Sequence, residues 1–406
     1  MRISLGVAVL LVVAISARAQ QGSYLFVWSG DQAKKASDFL AVINADPTSA
    51  KYGQVVASIA APGGFGYAHH TELQMPADGF LLANSFGTGR TMLFDLRDPR
   101  HPTLATSFGG VNGLTYPHTF LRLPDNHVLV TFQYAGAMDP KTAGGGVAVI
   151  DERGKPLRSA SAMDPAASSE LIRPYSAVVI PKLDRLVSTN HSMMMNADGY
   201  ARSVQVWRFS DLKLLKTIPL PAGPHGYEQL EPGEPRVLDD GKTVLIHTFM
   251  CGLYEMNDVD TDHPRVHFLH TFEGVQCGVP LLLGHFWIQT LSTARAVVVE
   301  DISNPEHMRE VSRVTFDSMQ FPHWISADSS GHRLVVDSGG YGADRVYILN
   351  FNPETGQLQL DERFRDSGSD QPGFNMDGKS WPHGFQGDAF PHGAVFSLTA
   401  AAAKYR

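Results

Sequence analysis

Short runs of alternating apolar and polar residues, about four to eight residues long, recur along nearly the whole chain. The stretch 117–133, PHTFLRLPDNHVLVTFQ, shows the pattern: one run follows His118, the residues Pro124-Asp125-Asn126 interrupt it, and a second run follows His127. A period of two residues is typical of strands, and Pro, Asp, Asn and Gly are typical of turns. The pattern therefore predicts an all-β fold.

The layout of this stretch recurs down the chain, which indicates an internal repeat. Each copy except the last is followed by a second pair of strand-like runs, for example SVQVWRFSDLKLLKTIPL. Copies are spaced by about 45 to 60 residues, the range of four-stranded propeller blades. Five of the seven copies begin at His70, His118, Tyr175, His323 and His383. The fourth and fifth copies are the segments EPRVLDDGKTVLIHTF and QCGVPLLLGHFWIQT.

The seventh copy stops too early to form a whole blade. It pairs His383 with His392 and ends at AVFSL, while its missing outer strands are present near the N-terminus as DFLAVINADPTSAKYGQVVASIA. A propeller closes its ring by completing one blade from both chain ends. The sequence therefore predicts a seven-bladed β-propeller, with residues 20–406 as a single domain.

The first 19 residues have the features of a secretory signal peptide. Arg2 is followed by an apolar stretch from Ile3 to Ser16 and by an A-x-A cleavage site at Ala17-Arg18-Ala19. No later stretch is long and apolar enough to suggest insertion in a membrane. We therefore expect export to the periplasm.

The chain is mildly acidic, with 33 Lys and Arg against 41 Asp and Glu. Removal of Arg2 and Arg18 leaves a formal net charge of −10. An acidic surface disfavours nucleic acid and anionic lipid as partners. The two cysteines, Cys251 and Cys277, lack C-x-x-C spacing, so a disulfide or two buried thiols is favoured over a metal site.

Innermost strands line the channel of a propeller, so residues at the start of each copy converge on one mouth of the channel. We expect His70, His118, His323 and His383 to face one another there, with His69 in the same space. His225, which precedes the fourth copy, is a further candidate. A single histidine at a strand start is usually structural, but several at one repeat position favour a metal site.

Other polar residues near this mouth have a weaker case. Glu72 points to the same side of its strand as His70 and could act as a base, although a salt bridge with an arginine is its ordinary role. Tyr175 replaces histidine in the third copy, and Trp324 is expected to pack between blades. His191 and His247 follow second strands on the same face, whereas His127, His332 and His392 begin second strands and are expected to be solvated at the opposite face.

Several imidazoles with little carboxylate suit copper, zinc or iron and not calcium or magnesium. The oxidising compartment and the thioethers of NHSMMMN (residues 190–196) favour copper among these metals. Thioethers also serve as plain packing. Copper is therefore the predicted cofactor.

Several segments resemble the selenium-binding protein family, which includes methanethiol oxidase. They are SYLFVWSGDQAKKASDFLAVINADPTSAKYGQVV, AHHTE, TFMCGLYEM, CGVP, HFWIQT, VVVEDISNPEHMREVSRVTFD and FPHWISAD. The resemblance spans essentially all of the chain after the signal peptide, and it implies a seven-bladed propeller. The chain lacks the cysteine that animal members carry for selenium, so direct selenium binding is not expected.

The resemblance implies a copper-dependent oxidase that converts methanethiol, dioxygen and water into formaldehyde, hydrogen sulfide and hydrogen peroxide. The copper-site histidines of the family correspond to His69, His70, His118, His323 and His383 of this chain. The predicted site therefore consists of these five residues and His225 as metal ligands, with Glu72 and His323 in catalysis. The partners are a small thiol and dioxygen.

Two other functions remain open on the sequence alone. One is a non-catalytic copper carrier of the periplasm, which would bind the metal at an exposed or saturated site. The other is a lactonase, but lactonase propellers prefer carboxylates and Asn around calcium, which the histidine-rich mouth disfavours.

Overall fold

The computed structural model describes residues 23–317, 321–340 and 345–398. These residues form seven antiparallel sheets of four main strands, which confirms the predicted seven-bladed propeller. The predicted signal peptide falls within residues 1–22, outside the described residues, and the predicted domain boundary at residue 20 stays a prediction. Among the described residues, none of the helices has the length and apolar character needed to cross a bilayer.

Blades 1 to 3 follow one another along the chain, and each runs from its innermost to its outermost strand. Blade 1 contains β4 to β7, blade 2 contains β8 to β11 and blade 3 contains β12 to β15. The first 15 strands are β1 (Tyr24–Asp31), β2 (Phe39–Asn44), β3 (Val55–Ala60), β4 (Ala68–Thr71), β5 (Phe80–Ser85), β6 (Arg90–Asp95), β7 (Thr103–Phe108), β8 (Thr115–Arg122), β9 (Val128–Tyr134), β10 (Gly144–Ile150), β11 (Pro156–Ser161), β12 (Pro174–Ile180), β13 (Arg185–Asn190), β14 (Ser203–Arg208) and β15 (Lys213–Pro219).

Blades 4 to 6 repeat the same order. They comprise β16 to β19, β20 to β23 and β24 to β27, and β28 adds to β26 of blade 6. These strands are β16 (Pro232–Val237), β17 (Val244–Thr248), β18 (Gly252–Asn257), β19 (Arg265–Thr271), β20 (Cys277–Leu283), β21 (Phe286–Leu291), β22 (Ala296–Asp301), β23 (Arg309–Thr315), β24 (Trp324–Ala327), β25 (Arg333–Asp337), β26 (Arg345–Phe351), β27 (Leu358–Leu360) and β28 (Phe374–Asn375). A four-residue helix, α1 (Met195–Asp198), lies between β13 and β14.

Blade 7 closes the ring, but with a different division of strands from the predicted one. Its innermost strand is β31 (Ala389–Phe396), and β1, β2 and β3 follow outward. The N-terminal segment therefore supplies three strands and not two. The segment that contains His383 lies before this strand, between the two-residue strands β29 (Lys379–Ser380) and β30 (Gln386–Gly387).

The seven innermost strands pack against one another around the axis. Each touches the next, from β4 through β8, β12, β16, β20 and β24 to β31, and β31 returns to β4. Apolar side chains fill the spaces between adjacent blades, because both faces of each central strand are covered by neighbouring sheets. All five tryptophans of the chain belong to this buried material: Trp28, Trp207, Trp287, Trp324 and Trp381.

Cys251 and Cys277 form a disulfide, which decides between the two structural alternatives that the sequence left open. Cys251 lies in the turn between β17 and β18, and Cys277 begins the innermost strand of blade 5. The bond thus joins blade 4 to blade 5 close to the end of the channel at which the inner strands begin.

Candidate metal centre

Six of the seven inner strands contain a β-bulge at the same point. In each, an advance of three residues on the inner strand matches an advance of two residues on its partner strand. In blade 2, for example, Pro117 pairs with Phe132, and the next pair is Phe120 with Val130. A bulge leaves residues out of the ladder and turns their side chains to a new direction. The inner-strand residues that are paired on either side of each register shift are 68 and 71, 117 and 120, 174 and 177, 232 and 235, 277 and 280, and 391 and 394. In the last case the partner residues are Ser29 and Val27 of β1.

The bulges explain why proline precedes so many of these residues. Pro117, Pro174, Pro232 and Pro391 each come directly before an unpaired position. An inner strand is a sheet edge, so a residue without an N–H is tolerated where that edge faces the channel. Two Pro-His pairs of the sequence, Pro117-His118 and Pro391-His392, therefore mark bulges at the channel wall, whereas Pro322-His323 precedes a strand without one.

Five histidines meet where the bulges of blades 7, 1 and 2 and the start of blade 6 converge. The ring of His69 lies 4.0 Å from that of His70, 4.8 Å from that of His118 and 4.2 Å from that of His392. The rings of His323 and His392 are 5.2 Å apart. We refer to these five residues, His69, His70, His118, His323 and His392, as the histidine cluster. All five side chains are buried, with at most 6% of each residue exposed.

Two groups within the cluster bring three ring nitrogens close together. His69, His70 and His118 form one group, and His70, His323 and His392 form the other. In each group the three candidate ligand atoms all lie within 4.8 Å of one another. Because no carboxylate belongs to either group, the donor set suits a borderline transition metal and not calcium or magnesium. The cluster can therefore hold a metal ion.

Hydrogen bonds prepare His118 for metal binding. Its Nδ1 lies 3.0 Å from the backbone carbonyl oxygen of Tyr175, which can only accept, so Nδ1 carries the proton. Nε2 then presents its lone pair to the cluster, and it has no hydrogen-bond partner among the described residues. An imidazole oriented in this way by an outer partner is a typical metal ligand. Nε2 of His70 is likewise buried without a partner in the described structure.

Side chains from the second strands hold the bulges in place. Asn84 accepts a hydrogen bond from the His70 N–H at 2.7 Å and donates to the carbonyl of Pro117 at 2.7 Å, which joins blades 1 and 2. Asp337 plays the same part between blades 6 and 7. Its carbonyl accepts from the His323 N–H at 2.9 Å, and its carboxylate accepts from the Gly393 N–H at 3.2 Å.

The electrostatic environment keeps the cluster neutral. Burial lowers the pKa of His118 to about 3 and that of His323 to about 4. The pKa values of His69, His70 and His392 are also lowered, first by burial and then by the neighbouring imidazoles. A metal ligand must be an unprotonated imidazole, so the apo site is already in the binding form at neutral pH.

Aromatic rings complete the wall opposite the cluster. The Tyr175 ring lies 3.7 Å from that of His118, and the His191 ring stacks on Tyr175 at 4.2 Å. Phe249 lies 5.5 Å from His191 and 6.3 Å from His323, which brings the wall back to the cluster. The expectation that His191 lies on the same face as the cluster is thus confirmed.

His383 does not belong to the cluster, so the prediction that it faces the other histidines is wrong. Its Nδ1 lies 2.7 Å from the hydroxyl of Ser58 in β3, and its ring lies 4.8 Å from Phe39 in β2. These contacts place it against the outer part of blade 7. His392 takes the expected place instead, so its predicted position as a solvated turn residue is also wrong. The available signal was the apolar run after Pro391-His392, since His383 is followed by Gly384, Phe385 and Gln386.

His225 is also outside the cluster. Its Nδ1 lies 2.6 Å from the carboxylate of Glu228, and 59% of its side chain is exposed. His127, by contrast, is a partly exposed residue bound to Asp125, as predicted. The structure therefore brings His69, His70, His118 and His323 together, as predicted, but not His225.

Glu72 is buried in an ion pair and does not bind to a cluster residue. Its Oε1 lies 2.8 Å from Nε of Arg122, and its Oε2 accepts a hydrogen bond from the Leu82 N–H at 2.8 Å. Arg122 ends β8, four residues beyond His118, so this carboxylate is directed along the channel away from the bulges. The arrangement is the salt bridge that the ordinary interpretation of Glu72 expected. Its predicted catalytic role stays a prediction.

Comparisons with known proteins give one sequence match and a fold match. A methanethiol oxidase of Hyphomicrobium sp. is 34% identical over 144 residues, which are 33% of this chain and 31% of that protein. The match thus spans about a third of the relative's length. No family model matches the chain.

Solved structures extend the likeness to nearly the whole chain. A hypothetical selenium-binding protein from Sulfolobus tokodaii aligns with a TM-score of 0.69 at 15% identity, over 94% of this chain and 95% of that one. The periplasmic gluconolactonase of Pseudomonas aeruginosa aligns with a TM-score of 0.61 at 14% identity, over 93% and 100%. At such identities these structures show the propeller fold alone. The partial match to methanethiol oxidase and the fold shared with a selenium-binding protein together support the resemblance to that family which the sequence motifs indicate.

Proposed function

We propose that this protein is a copper-dependent periplasmic oxidase of small thiols. The proposed reaction converts methanethiol, dioxygen and water into formaldehyde, hydrogen sulfide and hydrogen peroxide. The observation that carries the proposal is the buried cluster of five neutral imidazoles at the channel, in a chain that partly matches a methanethiol oxidase. The predicted signal peptide supports the periplasmic location.

The residues present fit copper. Both groups of three consist of imidazoles alone, and the lone pair of His118 Nε2 is fixed by the hydrogen bond at Nδ1. Imidazole suits copper, zinc and iron, but only copper and iron among these exchange electrons with dioxygen. A bound copper ion would lower the pKa of a coordinated thiol and exchange electrons with the thiol and dioxygen.

The chain itself supplies burial, orientation and size selection. Asn84 and Asp337 fix the bulges that carry the imidazoles, so the donors are positioned before any ion binds. Tyr175 and Phe249 form an apolar wall beside the cluster, which suits a methyl or another small alkyl group. Burial excludes bulk water from the reacting sulfur, which strengthens electrostatic interactions there.

The burial of the cluster favours an oxidase over a copper carrier. A carrier has to hand its metal to a partner, whereas the donors here lie inside the channel with at most 6% exposure. The fold shared with a gluconolactonase does not favour lactone hydrolysis, because both candidate metal groups consist of imidazoles alone.

The test is oxygen uptake by copper-loaded protein supplied with methanethiol, together with assays of hydrogen peroxide and sulfide. We expect uptake by the wild type and by His127→Ala, whose side chain is partly exposed, and its loss in His118→Ala. Stoichiometric copper without oxygen uptake would favour the carrier. Absence of bound copper after loading would contradict both functions.

A further inference from the structure

The bulge of blade 4 carries no histidine, unlike the bulges of blades 7, 1 and 2. Its first unpaired position is Gly233, between the paired residues Pro232 and Pro235. A Cβ atom at residue 233 would lie 2.1 Å from Cε1 and 2.6 Å from Nε2 of His247. The imidazole of His247, which comes from the second strand β17, therefore occupies the space that a side chain of the inner strand takes in other blades.

Glu234 follows at the second unpaired position, the one that His70 occupies in blade 1. The residue is only 4% exposed. Its Oε2 lies 3.8 Å from Nε2 of His247, and its backbone carbonyl oxygen lies 3.3 Å from Nδ1. Blade 4 thus presents a buried carboxyl–imidazole pair at the level where blade 1 presents a candidate ligand.

Burial of this pair favours a proton on the carboxyl. Burial raises the pKa of Glu234 to about 7 against an opposing effect of Arg236. The pKa of His247 is lowered to about 3. Burial is the main cause, Arg236 and His323 act in the same direction, and the hydrogen bond to the Glu234 carbonyl opposes them. Arg236 is itself held by the carbonyl oxygens of Pro235 and Pro280. Burial lowers the pKa of His191, and the imidazoles of His118, His247 and His323 lower it further, so His247 and two members of the cluster act on the same ring.

Other buried carboxylates near the channel are engaged elsewhere. Glu231 accepts hydrogen bonds from the N–H groups of Ser192 at 2.6 Å and Ala201 at 2.8 Å, which fixes the loop between β13 and β14. Glu72 is paired with Arg122. Among the described residues the Glu234 carboxyl has no Lys or Arg within 4 Å, and its nearest basic group is the neutral imidazole of His247 at 3.8 Å.

Thiol oxidation requires proton transfer as well as electron transfer. The thiol must lose its S–H proton to bind as thiolate, and dioxygen takes up two electrons and two protons to become hydrogen peroxide. Imidazoles committed to a metal cannot carry these protons. A second group beside the cluster has to do so.

We propose that Glu234 is the proton-transfer residue of this site; this rests on the proposed thiol oxidase function. The S–H bond breaks, the proton passes to the Glu234 carboxylate, and the electron pair stays on sulfur. Oxidation of the thiolate then breaks one C–H bond, which supplies the two electrons that reduce dioxygen. The reduced dioxygen takes one proton from the Glu234 O–H and the other from that C–H bond, and water hydrolyses the resulting thiocarbonyl compound to formaldehyde and hydrogen sulfide. The His247 imidazole lies beside this carboxyl, with Nε2 3.8 Å from Oε2.

The first experiment is infrared difference spectroscopy at pH 8 on Cu(I)-loaded protein, with methanethiol added under anaerobic conditions. In the wild type we expect the absorption of a protonated carboxyl group to appear when the thiol binds. The same signal should appear in Glu300→Gln, a matched control in which a buried carboxyl of β22 with a similarly raised pKa is removed. It should be absent in Glu234→Gln, and Glu234→Asp should restore it.

The second experiment compares oxygen uptake at equal copper content. General acid–base catalysis is worth about 10² to 10⁴ in rate, so we expect Glu234→Gln to be at least about 100-fold slower, with Glu300→Gln unchanged. A carboxyl signal that persists in Glu234→Gln, or a wild-type rate in that variant, would overturn the role of Glu234 alone. A wild type that binds copper but takes up no oxygen with methanethiol would overturn this role together with the proposed function.

Discussion

The imidazole rings of His69 and His392 lie 4.2 Å apart, although one residue belongs to the fourth strand and the other to the last strand of the described chain. They meet because β31 closes the ring against β4 and because both strands bulge at this level. The seam of the propeller is therefore part of the candidate metal centre. A metal bound there would link the two ends of the chain.

Metal binding should distinguish His392 from His383. We expect His392→Ala to lose most of its copper, because it removes a member of one group of three, whereas His383→Ala should retain it. Copper per chain, measured by elemental analysis after loading and desalting, checks this. Retention of full copper by His392→Ala and loss by His383→Ala would contradict the structural assignment.

Lowering the pH should remove the contribution of His118 to the free energy of unfolding of the metal-free protein. Its pKa is lowered to about 3 in the fold against about 6.5 unfolded, so below pH 6.5 the unfolded chain binds the proton and the folded chain does not. The stabilisation by neutral His118 is complete above pH 6.5 and decreases as the pH falls toward 3. Relative to His118→Gln, the wild type should lose about 2 kcal/mol between pH 7.5 and pH 5.

Urea unfolding of both proteins at each pH, in the presence of a chelator, gives the required difference. The comparison with His118→Gln cancels the buried carboxyls whose pKa values are raised, such as Asp337 at about 7, because these have the opposite pH dependence and are common to both proteins. His127→Gln, altered at a partly exposed histidine, is the control and should show no such shift. A difference that does not change with pH would contradict the buried, neutral state of His118.

The disulfide should contribute to stability beyond its local contacts. Cys251 and Cys277 are separated by 26 residues, and closing a loop of this size lowers the entropy of the unfolded chain by an amount worth about 3 kcal/mol. We expect the free energy of unfolding of the double variant Cys251→Ala/Cys277→Ala to be lower by about this amount. Its unfolding midpoint should therefore lie at a lower denaturant concentration. Equal midpoints for wild type and variant, or for wild type with and without reductant in the unfolding assay, would contradict the prediction.

Gly233 and His247 should be coupled. Gly233→Ala places a methyl group 2.1 Å from Cε1 of His247, so either the imidazole or the strand must move, at a cost of about 1–3 kcal/mol. In Gly233→Ala/His247→Ala the space is vacated, and most of this additional cost should disappear. A double-mutant cycle of unfolding free energies measures the coupling. Additive effects would show that His247 does not occupy the space beside Gly233.

The repeat could be recognised in the sequence because each blade is specified by short-range sequence patterns. Alternating runs, turn residues and the spacing between copies all act within a few tens of residues, and they predicted seven blades and closure of the ring by outer strands from the N-terminus. The same signals placed His118 and His323 at the channel. They failed at the last blade, where Trp381-Pro382-His383 and Phe390-Pro391-His392 offer the same Pro-His pair and only one leads into a strand that joins β1.

The sequence by itself determined the number of blades, a structural role for the two cysteines and the convergence of histidines on one end of the channel. Each of these follows from patterns along the chain. Only the tertiary structure decided which histidines form the cluster. Membership depends on bulges in strand pairing, on the division of blade 7 between chain ends and on burial among other blades. These are contacts between residues far apart in the chain, and the spacing of residues along it does not record them.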